Sequence, residues 1–337
     1  MRRRLTIAIG VCIVWFSAVD TAPTSAAHGY KHFVVGNVDD VTRETRGLTV
    51  LHGGGTDIDE IFVRMGAAAG GGDFVVIRAS GTDAYNPYIY ELCGCDSVET
   101  IIFNNRQAAS DPFVISRIRN AEALWIAGGD QSNYVRFWQG TPVEVEINAL
   151  AARPAPIGGL SAGTAIMGEF VYSAMSASSL TTSEGLANPF HRDLTLARDF
   201  LHLPKLDGLI TDQHLEERDR MGRTVAFLAR LVQDGWTTEG RAIAADRETA
   251  LLLDPTTGAT EVISTTNHTT PFVYFLRTPG PPEVCQPKTP LTYRNIAVYR
   301  IGPGGTFDLD AWSGSGGIAY TLSAESGVLT SSRGEIY

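Results

Sequence analysis

Short apolar runs and amphipathic stretches alternate along roughly the first 250 residues, each run closing on glycine or a polar turn. The run at 47–51 ends in Gly53, Gly54 and Gly55, and 57–65 then repeats apolar side chains at helical spacing. Further strand-like runs fall at 73–78, 100–103, 123–127 and 206–211, and helical patterns at 112–120 and 143–152 flank them. The run at 123–127 closes on Gly128-Gly129-Asp130-Gln131, and 206–211 leads into Asp212-Gln213-His214. This alternation predicts an α/β fold, a mostly parallel sheet with helices on both faces. In such sheets a ligand crevice opens beyond the carboxyl ends of the strands, where these glycine turns all fall. The Gly53–Gly55 turn lacks both the P-loop lysine and the dinucleotide glycine spacing, which speaks against a nucleotide there.

After Ala244 the pattern changes to strands alone, at 249–254, 258–264, 271–276 and 295–301, and the tail from Gly302 is rich in Gly and Ser. The expected organisation is a leader at 1–27, an α/β domain at 28–254, and a β-rich C-terminal layer with a loosely ordered tail at 255–337, packed on the same domain. The leader reading rests on Arg2, Arg3 and Arg4, an apolar stretch at 5–19 and small residues at 21–27. That stretch is shorter than the roughly 20 residues a membrane-spanning helix needs. The order predicts cleavage near Ala26 or Ala27 and a soluble protein exported to the periplasm or beyond, with no membrane partner thereafter.

The formal net charge of −10 disfavours nucleic acid or an anionic membrane as partner. With Cys12 in the leader, Cys93, Cys95 and Cys285 remain. Three cysteines allow one internal bridge, and Cys285 with Cys93 or with Cys95 stays open. The pair does not have the Cys-x-x-Cys spacing and no second cluster accompanies it, so no metal site is expected.

Chemistry concentrates at Gly159-Leu160-Ser161-Ala162-Gly163, the G-x-S-x-G pattern of a strained turn that exposes a serine hydroxyl beside backbone N–H groups. A tight turn with Ser161 as helix N-cap is the alternative. A nucleophilic serine needs a base, and His214 follows directly from a strand at the same sheet edge. The segment 212–223 reads as the first turns of a helix. Arg218 would then lie roughly 40° from His214, with Arg220 and Arg223 on another side. These arginines either pair with Glu216, Glu217 and Asp219 on a solvated face or clamp a substrate carboxylate.

With these blocks in this order, the chain over roughly 47–253 resembles the cyanophycinase and aspartyl dipeptidase family of serine peptidases. The exported cyanophycinase-like members match best. The resemblance implies a fold like that of class I glutamine amidotransferases, flavodoxin-like in its sheet. It makes Ser161 the nucleophile and His214 the base, and Gln131, Asp212, Gln213, Arg218, Arg220 and Arg223 the substrate pocket. The oxyanion donors would be the N–H groups of Ala162 and Gly129. The family carries its third triad residue in an Asp-Glu-x-Thr-Ala block. Here that block reads Asp246-Arg247-Glu248-Thr249-Ala250, with Arg247 in the ungapped glutamate position. A one-residue slip makes Glu248 the expected acid, with Asp246 and Glu184 as alternatives. Leu160 stands where the family commonly has threonine.

The implied activity is hydrolysis of cyanophycin, an aspartate backbone bearing arginines, into β-Asp-Arg dipeptides through an acyl-enzyme, with no metal or cofactor. Other aspartyl or isoaspartyl peptides, or a non-catalytic exported binding protein on the same fold, are the alternatives. A homodimer is left open.

Overall fold

In the computed structural model the described residues are 29–176, 178–265 and 268–337. The leader expectation lies outside them.

Strands β1 (Tyr30–Gly36), β2 (Leu48–His52), β3 (Asp73–Arg78), β4 (Ser97–Phe103), β5 (Ala123–Ile126) and β6 (Pro156–Leu160) come first. Interleaved with them are helices α1 (Asp59–Ala68), α2 (Tyr85–Cys93), α3 (Pro112–Asn120), α4 (Gln131–Trp138) and α5 (Pro142–Ala152). A two-stranded ribbon, β7 (Val171–Tyr172) with β8 (Leu196–Ala197), brackets α6 (Thr182–Ala187). Then follow β9 (Leu209–Gln213), α7 (Met221–Gln233), β10 (Arg241–Ala245), β11 (Thr249–Leu253), β12 (Thr260–Ser264), β13 (Val273–Arg277) and β14 (Tyr293–Ile301). The chain ends in β15 (Thr306–Asp308), β16 (Ser313–Ser315), β17 (Ile318–Glu325) and β18 (Val328–Ser331).

An eight-stranded sheet runs in the order β1-β4-β3-β5-β6-β2-β11-β12. Its centre, β4-β3-β5-β6-β2, is parallel, and β1, β11 and β12 pair antiparallel at the edges. Alternate residues of one strand feed opposite faces. Val75 and Ile77 pack with the apolar sides of α3, α4 and α5, while Phe74 and Val76 pack with α1 and α2. Helices therefore cover both faces. Each central strand is buried on both sides, which is why these runs read as continuously apolar.

A second sheet, β18-β17-β14-β13-β10-β9, holds the remaining long strands. The run at 206–211, expected in the parallel sheet, thus supplies β9 of this other sheet. There it pairs parallel with β10. The Gly/Ser-rich tail, expected to be loose, instead forms β15 to β18. Tyr320, Leu322 and Ala324 of β17 are buried in the cluster around α7. The β-rich region also divides: β11 and β12 extend the first sheet, and β13, β14, β17 and β18 build the second. Helix α7 is buried almost all round, with Val225, Phe227, Leu228 and Leu231 among its buried apolar side chains. Each such side chain contributes about 2 kcal/mol of burial.

The cysteine expectation is corrected as well. Cys93 and Cys95 are joined to each other, with Cα atoms 5.2 Å apart, and Cys285 is a free, buried thiol. Burial pushes that thiol up to about 12, so it stays protonated and unreactive near neutral pH. Among the described residues no helix is long and apolar enough to cross a membrane.

Candidate active site

Four strand ends converge on the site: β2 through Gly53 and Gly54, β5 through Gly129, β6 through Ser161, and β9 through Gln213 and His214. Ser161 follows β6 at once and takes the left-handed conformation, φ +54°. Few non-glycine residues adopt it without support. Here support comes from the Ser161 N–H bound to the His52 carbonyl at 3.0 Å and the Ala165 N–H bound to the Ser161 carbonyl at 2.9 Å. The glycine two residues on is sterically required, because a Cβ at Gly163 would lie 2.0 Å from the Ile126 carbonyl oxygen of β5.

His214 also has positive φ, +50°, and its N–H donates to the Gly53 carbonyl at 2.8 Å. This bond ties the end of β9, in the second sheet, to the end of β2, in the first. Ser161 Oγ and His214 Nε2 are then 3.0 Å apart, the separation a nucleophile and its base require. The ring is fitted against Gly54, where a Cβ would fall 2.1 Å from Nε2 and where φ is +109°. Gly54→Ala is therefore expected to displace the imidazole and to lower kcat/KM by at least about 100-fold, read by steady-state kinetics beside an unchanged circular dichroism spectrum.

On the far side of the ring, His214 Nδ1 is hydrogen-bonded to Glu217 Oε2. The acid expected there was Glu248, with Asp246 and Glu184 as alternatives, and none of the three touches the histidine. Glu248 accepts hydrogen bonds from Thr56 Oγ1 at 2.9 Å and Thr265 Oγ1 at 3.3 Å. Glu184 closes a capping box with Thr181 on α6. Asp246 is buried, and its Oδ1 accepts the N–H groups of Glu216 at 3.1 Å and Glu217 at 3.2 Å. It therefore secures the loop that carries Glu217.

Residues 214–220, expected to be helical, form turns instead. Asp219 has φ +45°, Arg220 N–H bonds the Leu215 carbonyl at 2.7 Å, and α7 begins only at Met221. Arg218 is therefore not set beside His214 by helical spacing. Tyr337 braces this loop from behind, with its hydroxyl 2.9 Å from Asp219 Oδ1 and accepting the Met221 N–H at 3.1 Å.

A cavity of about 240 Å³ opens beside Ser161. Its walls include Gly129, Gln131, Gln213, Arg218, Arg220 and Arg223, together with Ser176, Ser178 and Ser179, which carried no signal in the sequence. The arginines differ in their freedom. Arg223 is almost fully buried and makes a two-pronged pair with Asp212, Nε to Oδ2 being 3.0 Å. Its Nη1 also reaches Ser179 Oγ at 3.0 Å. Arg220 donates to the Gln213 carbonyl at 2.9 Å and to Gln213 Oε1 at 2.6 Å. Burial, and then the neighbouring Arg223, bring its guanidinium down to about 10. Arg218 is half exposed, with Nε 3.8 Å from Glu217 Oε2. Gln131 Nε2 lies 3.4 Å from the Tyr172 carbonyl. Asp212 is thus occupied by Arg223 and by Thr224 Oγ1, which donates to it at 2.8 Å, rather than presented to the cavity. Ala162, the next residue after Ser161, is buried.

Removing Arg223 would strand the buried Asp212 carboxylate. Arg223→Met is expected to destabilise the fold by about 3 kcal/mol, measured by urea unfolding.

Electrostatics favour the base form of His214. Burial, Arg218 and Arg220 lower its pKa below the usual histidine value and outweigh the Glu217 carboxylate, which raises it. For Glu217, burial works upward, but the His214 hydrogen bond and charge, with Arg218 and Arg247, hold it below the usual carboxylate range. A base must be neutral to accept a proton. The acidic limb of a kcat/KM–pH profile is therefore expected below about 6.5, with a plateau at neutral pH. In Arg218→Ala one depressing cation is gone, and the limb moves upward.

The chain is similar to known proteins over part of its length. Residues 84–196, which include Gln131 and Ser161 and stop short of His214, match peptidase family S51. Two curated proteins named cyanophycinase, from Trichormus variabilis and a Nostoc species, are each 27% identical over 142 residues, 42% of this chain. That match spans 44% of their length, under half of each. Among solved structures, a peptidase from an acI-B1 Actinobacterium superimposes with a TM-score of 0.51 at 14% identity, over 79% of this chain and 98% of that one. At that identity the likeness speaks to the fold alone.

Proposed function

Because this chain belongs to peptidase family S51, the cyanophycinase and peptidase E family, we propose that it is a serine peptidase that cleaves peptide bonds beside aspartate, with cyanophycin as its substrate. The observation that carries the reading is the 3.0 Å approach of Ser161 Oγ to His214 Nε2, with Glu217 on the opposite ring nitrogen, at the edge of an arginine-lined cavity.

The substrate's aspartyl carboxylate enters the cavity toward Arg218 and Arg220, the two arginines not locked in a buried pair. Ser161 Oγ attacks the scissile carbonyl carbon as its proton passes to His214 Nε2. Glu217 holds Nδ1–H and stabilises the imidazolium. Negative charge collects on the carbonyl oxygen, where the N–H groups of Gly129 and Ala162 act as donors worth about 3 kcal/mol each. The C–N bond then breaks, His214 returns the proton to the leaving amine, and an acyl-enzyme remains. Water, deprotonated by His214, releases it. The residues alone supply this chemistry. The parallel sheet centre, with a crevice at its strand ends, supports reading the fold as class I glutamine amidotransferase-like, and the leader-like N-terminus supports export to meet a polymer too large to cross a membrane.

The test sets purified protein against cyanophycin and against Asp-X dipeptides. Release of β-Asp-Arg from the polymer is expected. Turnover of dipeptides with an intact polymer would overturn the substrate, and turnover of neither would overturn the activity.

A further inference from the structure

Glu184, an alternative third triad residue from the sequence, belongs to a second cluster that the proposed chemistry leaves unused. It groups with His191 and Asp193 so that one ligand atom from each lies within 4.8 Å of the others. Of the Glu184 carboxylate, Oε2 is committed to the Thr181 N–H and hydroxyl, at 2.9 and 2.8 Å, which leaves Oε1 available. His191 is partly exposed and approachable from solvent.

Asp193 is the telling member. Its side chain is only 5% exposed, and among the described residues its carboxylate accepts no hydrogen bond. The nearest cationic groups are His191 Nδ1 at 3.6 Å and Arg192 Nε at 3.7 Å, both beyond hydrogen-bond length. Arg192 is 87% exposed, so water screens most of its help. A buried carboxylate held by two long ion pairs and no hydrogen bond keeps its oxygens open to a metal ion.

We propose that Glu184, His191 and Asp193 form a binding site for one divalent transition-metal ion, zinc being the best fit. One imidazole nitrogen with two carboxylate oxygens is a zinc-type set, whereas calcium and magnesium take oxygen alone. Ligands at about 2.0–2.2 Å around tetrahedral zinc lie roughly 3.3–3.5 Å apart. The 3.6 Å between His191 Nδ1 and Asp193 Oδ2 is already close to that edge, and Nδ1 would exchange the Asp193 N–H it accepts at 3.3 Å for the ion. Two partly exposed ligands above a buried one leave an open side for a water ligand.

The ion's role is structural. It fastens α6 to the loop at 188–193. Thr182, in the first turn of α6, donates to the Asp219 carbonyl in the loop that carries His214 and Glu217. The proposal does not depend on the peptidase reading, since its readout is metal binding.

The experiment is titration calorimetry of the full chain, stripped with a chelator, with zinc chloride alone. One equivalent is expected to bind with micromolar or tighter affinity and to raise Tm by a few degrees. His191→Ala should abolish both effects, and Glu184→Gln should weaken binding about 10-fold. Asp193→Asn should do the same where it folds. Ser161→Ala should bind zinc as the wild type does. No zinc binding, binding unchanged in His191→Ala, or equal binding of calcium would overturn the proposal.

Discussion

Ser161→Ala is expected to abolish hydrolysis, with kcat falling by a factor on the order of 10⁴ to 10⁶ while KM changes little. The hydroxyl is the attacking atom, so its loss removes an interaction made only along the reaction path. The fold should not suffer. Ser161 sits at φ +54°, a conformation costly for any residue with a Cβ, and its hydroxyl bonds His214. Ser161→Gly sharpens the test, since glycine adopts that conformation freely. It should be as inactive as the alanine variant yet up to about 1 kcal/mol more stable, read by urea unfolding. A serine that served only as a turn residue would leave turnover intact in both variants.

The second large effect separates two glutamates. Glu217→Gln is expected to reduce kcat/KM by a factor on the order of 10³, because the neutral amide neither fixes the imidazole tautomer nor stabilises the imidazolium. Its side chain is 36% exposed, so water replaces part of what is lost and keeps the effect below that of the serine. Glu248→Gln should stay within a few-fold of wild type, since its carboxylate bonds Thr56 and Thr265 rather than the histidine. The pH profile discriminates further. Removing the Glu217 charge removes an influence that raises His214, so the acidic limb should move down in Glu217→Gln and stay in place in Glu248→Gln. The reverse pattern would restore Glu248 as the orienting acid.

What the sequence could convey follows from how far apart the interacting residues lie. The central strands at 73–78 and 123–127 were legible because burial on both faces makes them continuously apolar. Ser161 was legible because the glycines around it are sterically demanded over five consecutive residues. The strand β9 was read correctly as a strand and assigned to the wrong sheet, since its pairing with β10 and the crossing contact from His214 to Gly53 are long-range and leave no local pattern. Glu217 was obscured by a different effect. Charges crowded over 216–220 resemble a solvated helix face, while left-handed residues at His214 and Asp219 fold the segment into turns that return Glu217 to the ring. The buried Asp246 that holds this loop lies 29 residues away from Glu217. The tail from Gly302 misled through composition: its glycines and serines sit beside a regular set of apolar residues, Tyr320, Leu322 and Ala324, that point into the core.

The most direct test of the account is covalent labelling by a serine-reactive fluorophosphonate, followed by peptide mass spectrometry. A single adduct on Ser161 is predicted, absent in Ser161→Ala and formed far more slowly in His214→Ala, because the reagent needs a serine that a neighbouring base has activated. No adduct at Ser161, or one that forms equally fast without His214, would contradict the nucleophile and base that the site assembles.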